Sequence, residues 1–191
     1  MDFFYPNFNN DFWRVMGLVH YGDAQHFVAP AGRRFNYEAV VEFCRRAGLA
    51  FFDTASKVRR LKDNASDAFL EIIEPTDLGA LLSRLPHCHT LVTTGGKASE
   101  AIPVILSASL PVILSASEGS PPAPVILSAS EGSTPREGSP PIPTPGSFTD
   151  LKAFGRELRW WRMPSTSRAY PLPLAAKASV YAQLWPEPLE L

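Results

Sequence analysis

The sequence predicts an α/β fold: a three-layer α/β/α arrangement around a short central parallel sheet, interrupted by a Pro/Ser-rich repeat insertion. Three observations point there. Short apolar runs that read as buried strands alternate with stretches of helical period, the pattern of a sheet covered on both faces. The helical stretches carry their own start and stop residues. The chain also joins two compositions: none of its 21 aromatic residues lies in residues 103–146, which hold 10 of its 19 prolines.

In chain order, Asn9 or Asn10 suits the cap of a first helix carrying Phe12, Trp13, Val15 and Met16. Asn36 caps a second, with Val40, Val41, Phe43 and Cys44 on it and Gly48 as its stop. Residues 49–52, Leu-Ala-Phe-Phe, read as a short buried strand ending at Asp53. Thr76 opens a third helix whose Leu78, Leu81, Leu82 and Leu85 fall on one face before Pro86. Residues 90–93 read as a second buried strand, which Gly95 and Gly96 turn into a helix at Lys97. Residues 158–161 make a strand, 163–168 a loop and 174–184 a terminal helix. In a parallel sheet the ligand site lies beyond the carboxyl ends of the strands. That places Asp53, residues 94–97 and residues 163–168 near one another.

Within residues 103–146 the string PVILSAS occurs three times, and 23 of the 44 residues are Pro, Gly or Ser. The spacings are too short and irregular for a stacked repeat. Without aromatics the segment cannot offset an ordering cost of roughly 1–2 kcal/mol per residue, so it reads as a disordered insertion. Its alternative is a proline-rich ligand for a partner domain. Residues 1–102 and 147–191 are then the two parts of one domain.

A net charge of −1 argues against bulk attraction to nucleic acid or an anionic membrane. Locally the balance differs. Residues 151–170 hold Lys152, Arg156, Arg159, Arg162 and Arg168 against Glu157 alone, with Trp160 and Trp161 among them. Such a patch suits phosphates, or is a solvated strand with one Trp inward. Lys57, Arg59, Arg60 and Lys62 form a second patch that either flanks a phosphate backbone or solvates a loop. Two cysteines make no disulfide framework, and MDFFYPN is not a signal peptide, so a reducing cytoplasm is expected. No apolar run approaches the ~20 residues of a membrane helix. The string TTGGKAS is not a phosphate-binding P-loop, because its first glycine and the hydroxyl after Lys97 are missing. His20, His26, His87 and His89 show no metal-ligand spacing, and Ser165 and Ser167 lack a nucleophile elbow, so no metal, cofactor or serine hydrolase is expected.

The motifs YPNFNNDFW at residues 5–13, TTGGKA at 93–98 and MPSTSR at 163–168 together resemble the uracil-DNA glycosylase superfamily. The nearest branches are the mismatch-specific uracil/thymine and the hypoxanthine-DNA glycosylases. The resemblance spans roughly residues 1–100 and 147–185. It implies a hydrolase of base-excision repair, without cofactor and monomeric, whose partner is duplex DNA with a damaged or mismatched base. That base would be uracil, hypoxanthine or mismatched thymine. In that family an aromatic eight residues before the Trp of N-x-F-W stacks on the flipped base. Here N-x-F-W is Asn10-Asp11-Phe12-Trp13 and the aromatic is Tyr5. Asn10 would orient the attacking water, a role that competes with capping the first helix, and Asp53 would line the base pocket. Met163, Pro164, Ser165, Thr166, Ser167 and Arg168 would form the DNA-binding loop. In it the two serines bind flanking phosphates, and Arg168 or Met163 fills the gap left in the stack.

The chemistry asks for such groups. A stacked base cannot be attacked at its glycosidic carbon, so it is extruded at a cost of a few kcal/mol, offset by stacking and by plugging the gap. Phosphate contacts position the duplex, and hydrogen bonds stabilise the leaving base anion. The family's first motif, a Gly-x-x-Pro-type turn after the first strand, belongs upstream of Tyr5. The chain is therefore expected to lack that strand and its pocket loop, and a catalytically inactive, glycosylase-like DNA-binding domain is the alternative. A small-molecule-binding α/β domain is a more distant one.

Overall fold

The computed structural model describes residues 3–60, 70–108, 140–186 and 189. Helix α1, Phe12–Tyr21, starts where Asn10 Oδ1 accepts the Phe12 amide at 2.8 Å, and ends at Gly22 in the left-handed region. Helix α2, Tyr37–Ala47, runs as expected between an Asn36 side-chain cap on the Ala39 amide and Gly48 at φ +65°. Here local chemistry alone sets both ends.

Residues 49–52 correct the expected first strand. They form no ladder, Phe52 is 56% exposed, and Phe51 instead meets the rings of Phe4, Tyr5, Phe12 and Trp13. The chain then forms an antiparallel pair, β1 (Ala55–Arg60) and β2 (Leu70–Pro75), separate from the main sheet. Lys57 and Arg59 therefore lie on a strand, whereas Lys62 lies outside the described residues.

Helix α3, Leu78–Ser83, is capped by Asp77, whose carboxylate accepts the Ala80 amide at 2.9 Å, and it stops short of Leu85. Strand β3, Thr90–Thr94, leads through Gly95 into α4, Gly96–Ala108. Helix α4 carries Pro103 inside it, where the insertion was expected to begin, and it is held across the proline by buried Ile102 and Ile105. At the other end of that segment Pro143 is buried and its carbonyl accepts Arg162 Nη1 at 3.2 Å. Both flanks of the expected insertion thus pack on the fold, and residues 109–139 lie outside the described residues.

A strand the sequence reading missed, β4 (Ser147–Ala153), forms a hairpin with β5 (Arg156–Met163). Its two-residue turn has Phe154 at φ +53° and Gly155 at φ +72°, the doubly left-handed geometry that suits the twist of a hairpin. The sheet order is β3-β5-β4, with β3 and β5 parallel and β4 and β5 antiparallel, so the sheet is mixed where an all-parallel one was expected. Helix α5, Leu174–Tyr181, closes the fold and tightens into a 3-10 turn, Ala182–Leu184.

Two hydrophobic clusters result. The first joins Phe12, Trp13, Val15 and Met16 of α1 to Val40 and Phe43 of α2, Ala178 and Tyr181 of α5, and Met163. The second joins Leu78 and Leu82 of α3 and Ile102 and Ile105 of α4 to Leu151, Leu158 and Trp160 of the sheet. Alternation along β5 divides the tryptophans as expected: Trp160 is fully buried in the second cluster, while Trp161 leans half-buried on the first. No helix among the described residues is long and apolar enough to cross a membrane.

Candidate functional site

The ends of β3 and β5 meet the start of α1, which brings the motif residues together. Tyr5 sits at φ +55°, a left-handed conformation uncommon for an aromatic residue. Its hydroxyl shares a 2.7 Å hydrogen bond with Thr94 Oγ1, and its ring stacks on Phe12 with centroids 4.4 Å apart. Burial pushes the Tyr5 phenol up, the Thr94 bond pulls it partly back, and the charge of Asp53 adds to the rise. Asp53 is therefore close enough to be felt at the site, though its side chain is exposed and its carbonyl is engaged by Thr76 Oγ1 at 2.6 Å.

Asn10 is half-buried and bridged by backbone pairing to Ser167. Its carboxamide oxygen accepts the amide of Phe12, the first residue of α1, while the N-cap position falls on Asp11, whose side chain makes no cap bond, and not on Asn9 or Asn10 as expected; one of the Asn10 oxygen's two lone pairs remains for a water. Buried Arg14 fixes its backbone by donating to the carbonyls of Phe8 and Asn10, with the guanidinium 4.1 Å over the Phe8 ring.

The 163–168 loop divides into buried and presented residues. Met163 is completely buried in the first cluster, so it cannot fill a gap in a duplex from this position. Pro164 and Thr166 are buried as well, their carbonyls accepting Tyr181 Oη at 2.8 Å and the Asp11 amide at 2.9 Å. Ser165 is half-buried, and Ser167 and Arg168 are exposed. The Ser165 hydroxyl accepts the Ser167 amide and the Ser167 hydroxyl accepts the Ala169 amide, each at 3.2 Å. Each hydroxyl proton is then left to donate outward. The facing wall is the Gly95 turn, whose amide donates to Met163 O at 2.9 Å. A side chain there would meet Ser165 Cβ at 3.4 Å, an ordinary contact, but Gly95 stands at φ +87°, and that backbone conformation is what favours a glycine.

Two residues the sequence reading passed over tie this loop down. Asp11 is 8% exposed, and its carboxylate accepts Arg168 Nε at 3.1 Å and Lys177 Nζ at 3.0 Å. Lys177, 1% exposed, also donates to Ser167 O at 2.9 Å. The signal was in the sequence: Lys177 is the only charge in Leu174–Tyr181, and it lies on the face of Ala178 and Tyr181.

The basic patch of residues 151–170 resolves differently from a phosphate track. Arg159 is bidentate to Asp150, just outside that window, Lys152 pairs with Glu157, and Arg156 and Arg162 bond the Leu85 and Pro143 carbonyls. Two open clefts of ≈ 460 and ≈ 430 Å³ lie elsewhere, one beside His89 and Asp150 and one beside Glu74 and Phe154. Among the described residues no group of His, Cys, Asp and Glu could hold a metal ion. No protein-family model matches the chain, and no curated protein or solved structure matches it.

Proposed function

We propose that the chain is a glycosylase-like, DNA-binding domain that hydrolyses the N-glycosidic bond of a flipped uracil, hypoxanthine or mismatched thymine. The observation that carries this reading is the convergence of Tyr5, Asn10, the Thr94–Gly95 turn and the Ser165–Ser167–Arg168 edge from three distant parts of the chain. Tyr5 offers the ring face opposite Phe12 to the base, and Asn10 holds water by its remaining lone pair. The two serine hydroxyls donate to flanking phosphates. With Met163 buried, Arg168 is the long side chain of the loop left to face the duplex. The same reading takes the sheet as the middle of three layers, with α3 and α4 on one face and α1 and α5 against the other. Residues 109–139 are then the body of the insertion.

The test is a gel assay on duplexes containing uracil, hypoxanthine or a G·T mismatch. Abasic product is expected from at least one, and Tyr5→Ala abolishes it. Well-folded protein that yields none from any of them refutes the enzyme. A second reading, a non-catalytic duplex binder, is favoured by the engagement of Asn10 Oδ1 by the Phe12 amide. It gives salt-dependent binding that Tyr5→Ala leaves nearly unchanged.

A further inference from the structure

We propose that Asp11 and Lys177 are a buried positioning pair that sets the duplex-facing edge of the 163–168 loop and, through it, the Arg168 guanidinium for contact with a phosphodiester backbone. This rests on the DNA-binding reading given above. The geometry is a chain of anchors. Lys177 Nζ joins Asp11 Oδ2 to Ser167 O, Asp11 Oδ1 takes Arg168 through Nε, and the Asp11 amide holds Thr166 O. Each atom of the Asp11 carboxylate is therefore used by a different cation. Lys177 is 1% exposed and cannot reach a ligand, whereas the Arg168 side chain is 49% exposed and is held by Nε, which leaves its Nη1 and Nη2 donors for a phosphate.

Burying a lysine and a carboxylate carries a large desolvation cost, and an apolar pair of similar volume would cover the same surface without it. Anchoring the helix alone does not account for them. What the charges add is a fixed place for Ser167 and Arg168. The pair spans 166 positions of sequence, so it ties the loop to the N-terminal motif that carries Tyr5 and Asn10. With Asp11 neutralised by Lys177, Arg168 keeps a position without being consumed by its counter-ion.

The test is a double-mutant cycle read by duplex binding over a salt series. Arg168→Ala is expected to weaken binding about tenfold and to reduce the slope of log K against log salt by about 0.9, one phosphate contact. The charge-neutral change Asp11→Asn with Lys177→Met leaves no buried ion unpaired and frees only the half-exposed Arg168, and it is expected to give a similar loss and the same slope change. Added to Arg168→Ala, it is expected to cost less than about twofold further. An equal loss in both backgrounds, or no loss in either, overturns the pairing with Arg168. Amide exchange on the unaltered protein needs no variant: the Asp11 amide, which donates to Thr166 O, should be protected to the level of α1, and exchange at the rate of an open loop overturns the proposal. If the unaltered protein binds no duplex, the DNA reading itself fails, and exchange still reports on the pair.

Discussion

Thr93→Val is the most demanding single test of how the site is supported, because it removes one hydroxyl at nearly constant volume. Thr93 is 5% exposed, and Trp160 and Ser99 are completely buried. The Trp160 indole N–H donates to Thr93 Oγ1 at 3.0 Å, Thr93 Oγ1 lies 2.9 Å from Ser99 Oγ, and Ser99 donates to Gly95 O at 2.9 Å. With valine, the indole N–H is buried without an acceptor, which costs roughly 1–3 kcal/mol. For a chain of this length that is a fall in Tm of roughly 3–10 °C, read by circular dichroism. Ser99→Ala is expected to cost about 1 kcal/mol or less, because the Thr93 hydroxyl can turn to Trp161 O at 3.2 Å and keeps the indole satisfied. The double variant should cost less than the sum, since Thr93→Val already removes one of Ser99's partners. An inverted order, or a Thr93→Val protein within about 0.3 kcal/mol of the unaltered one, refutes the chain of donors described here.

Two further expectations concern titration. His20 Nε2 is buried without a partner among the described residues, its ring lies against Phe43 and Trp185, and burial pulls its pKa below 6.5. The unfolded chain therefore takes up this proton first as pH falls, and stability is lost from about pH 6.5 down to the lower folded value, with no slope from this group above it. Between about pH 7.5 and about pH 5, urea midpoints should fall more for the unaltered protein than for His20→Phe, and equal falls sink the assignment. Burial pushes the Cys44 thiol up to about 11, so near pH 8 it should alkylate about 100-fold more slowly than a thiol at its ordinary value of 9.0. Mass spectrometry that finds Cys44 labelled as fast as a small-molecule thiol contradicts this.

What could be read from the sequence follows from how local the determinants are. Helix α2 was legible at both ends because Asn36 and Gly48 act within one turn. Residues 49–52 misled because an apolar run signals burial and not geometry, and Phe51 is covered by rings, with no ladder beside it. Strand β4 was missed because it follows a proline-rich stretch and carries few apolar side chains; its identity comes from pairing with β5 across the Phe154–Gly155 turn. At the candidate site, the resemblance named Tyr5, Asn10 and the loop, and the fold brings them together. The roles within the loop could not be read from it, because burial of Met163, Pro164 and Thr166 is decided by α1 and α5. Of the basic patch, the sequence showed the charges and not their partners: Arg159 is taken by Asp150 and Lys152 by Glu157, pairings that a charge count does not see.

The two clusters explain why the site sits where it does. Strand β5 belongs to both: Leu158 and Trp160 face the cluster of α3 and α4, while Trp161 and Met163 face that of α1 and α5. One wall, the Gly95 turn, is fixed from the second cluster through Trp160, Thr93 and Ser99. The other, the 164–168 loop, is fixed from the first through Tyr181, Asp11 and Lys177. The Gly95 amide on Met163 O and the Tyr5 hydroxyl on Thr94 are the cross-links between the walls. Each wall thus has a polar support running down into its own core. Gly95 joins the two walls, its amide on Met163 O and its φ of +87° holding the turn.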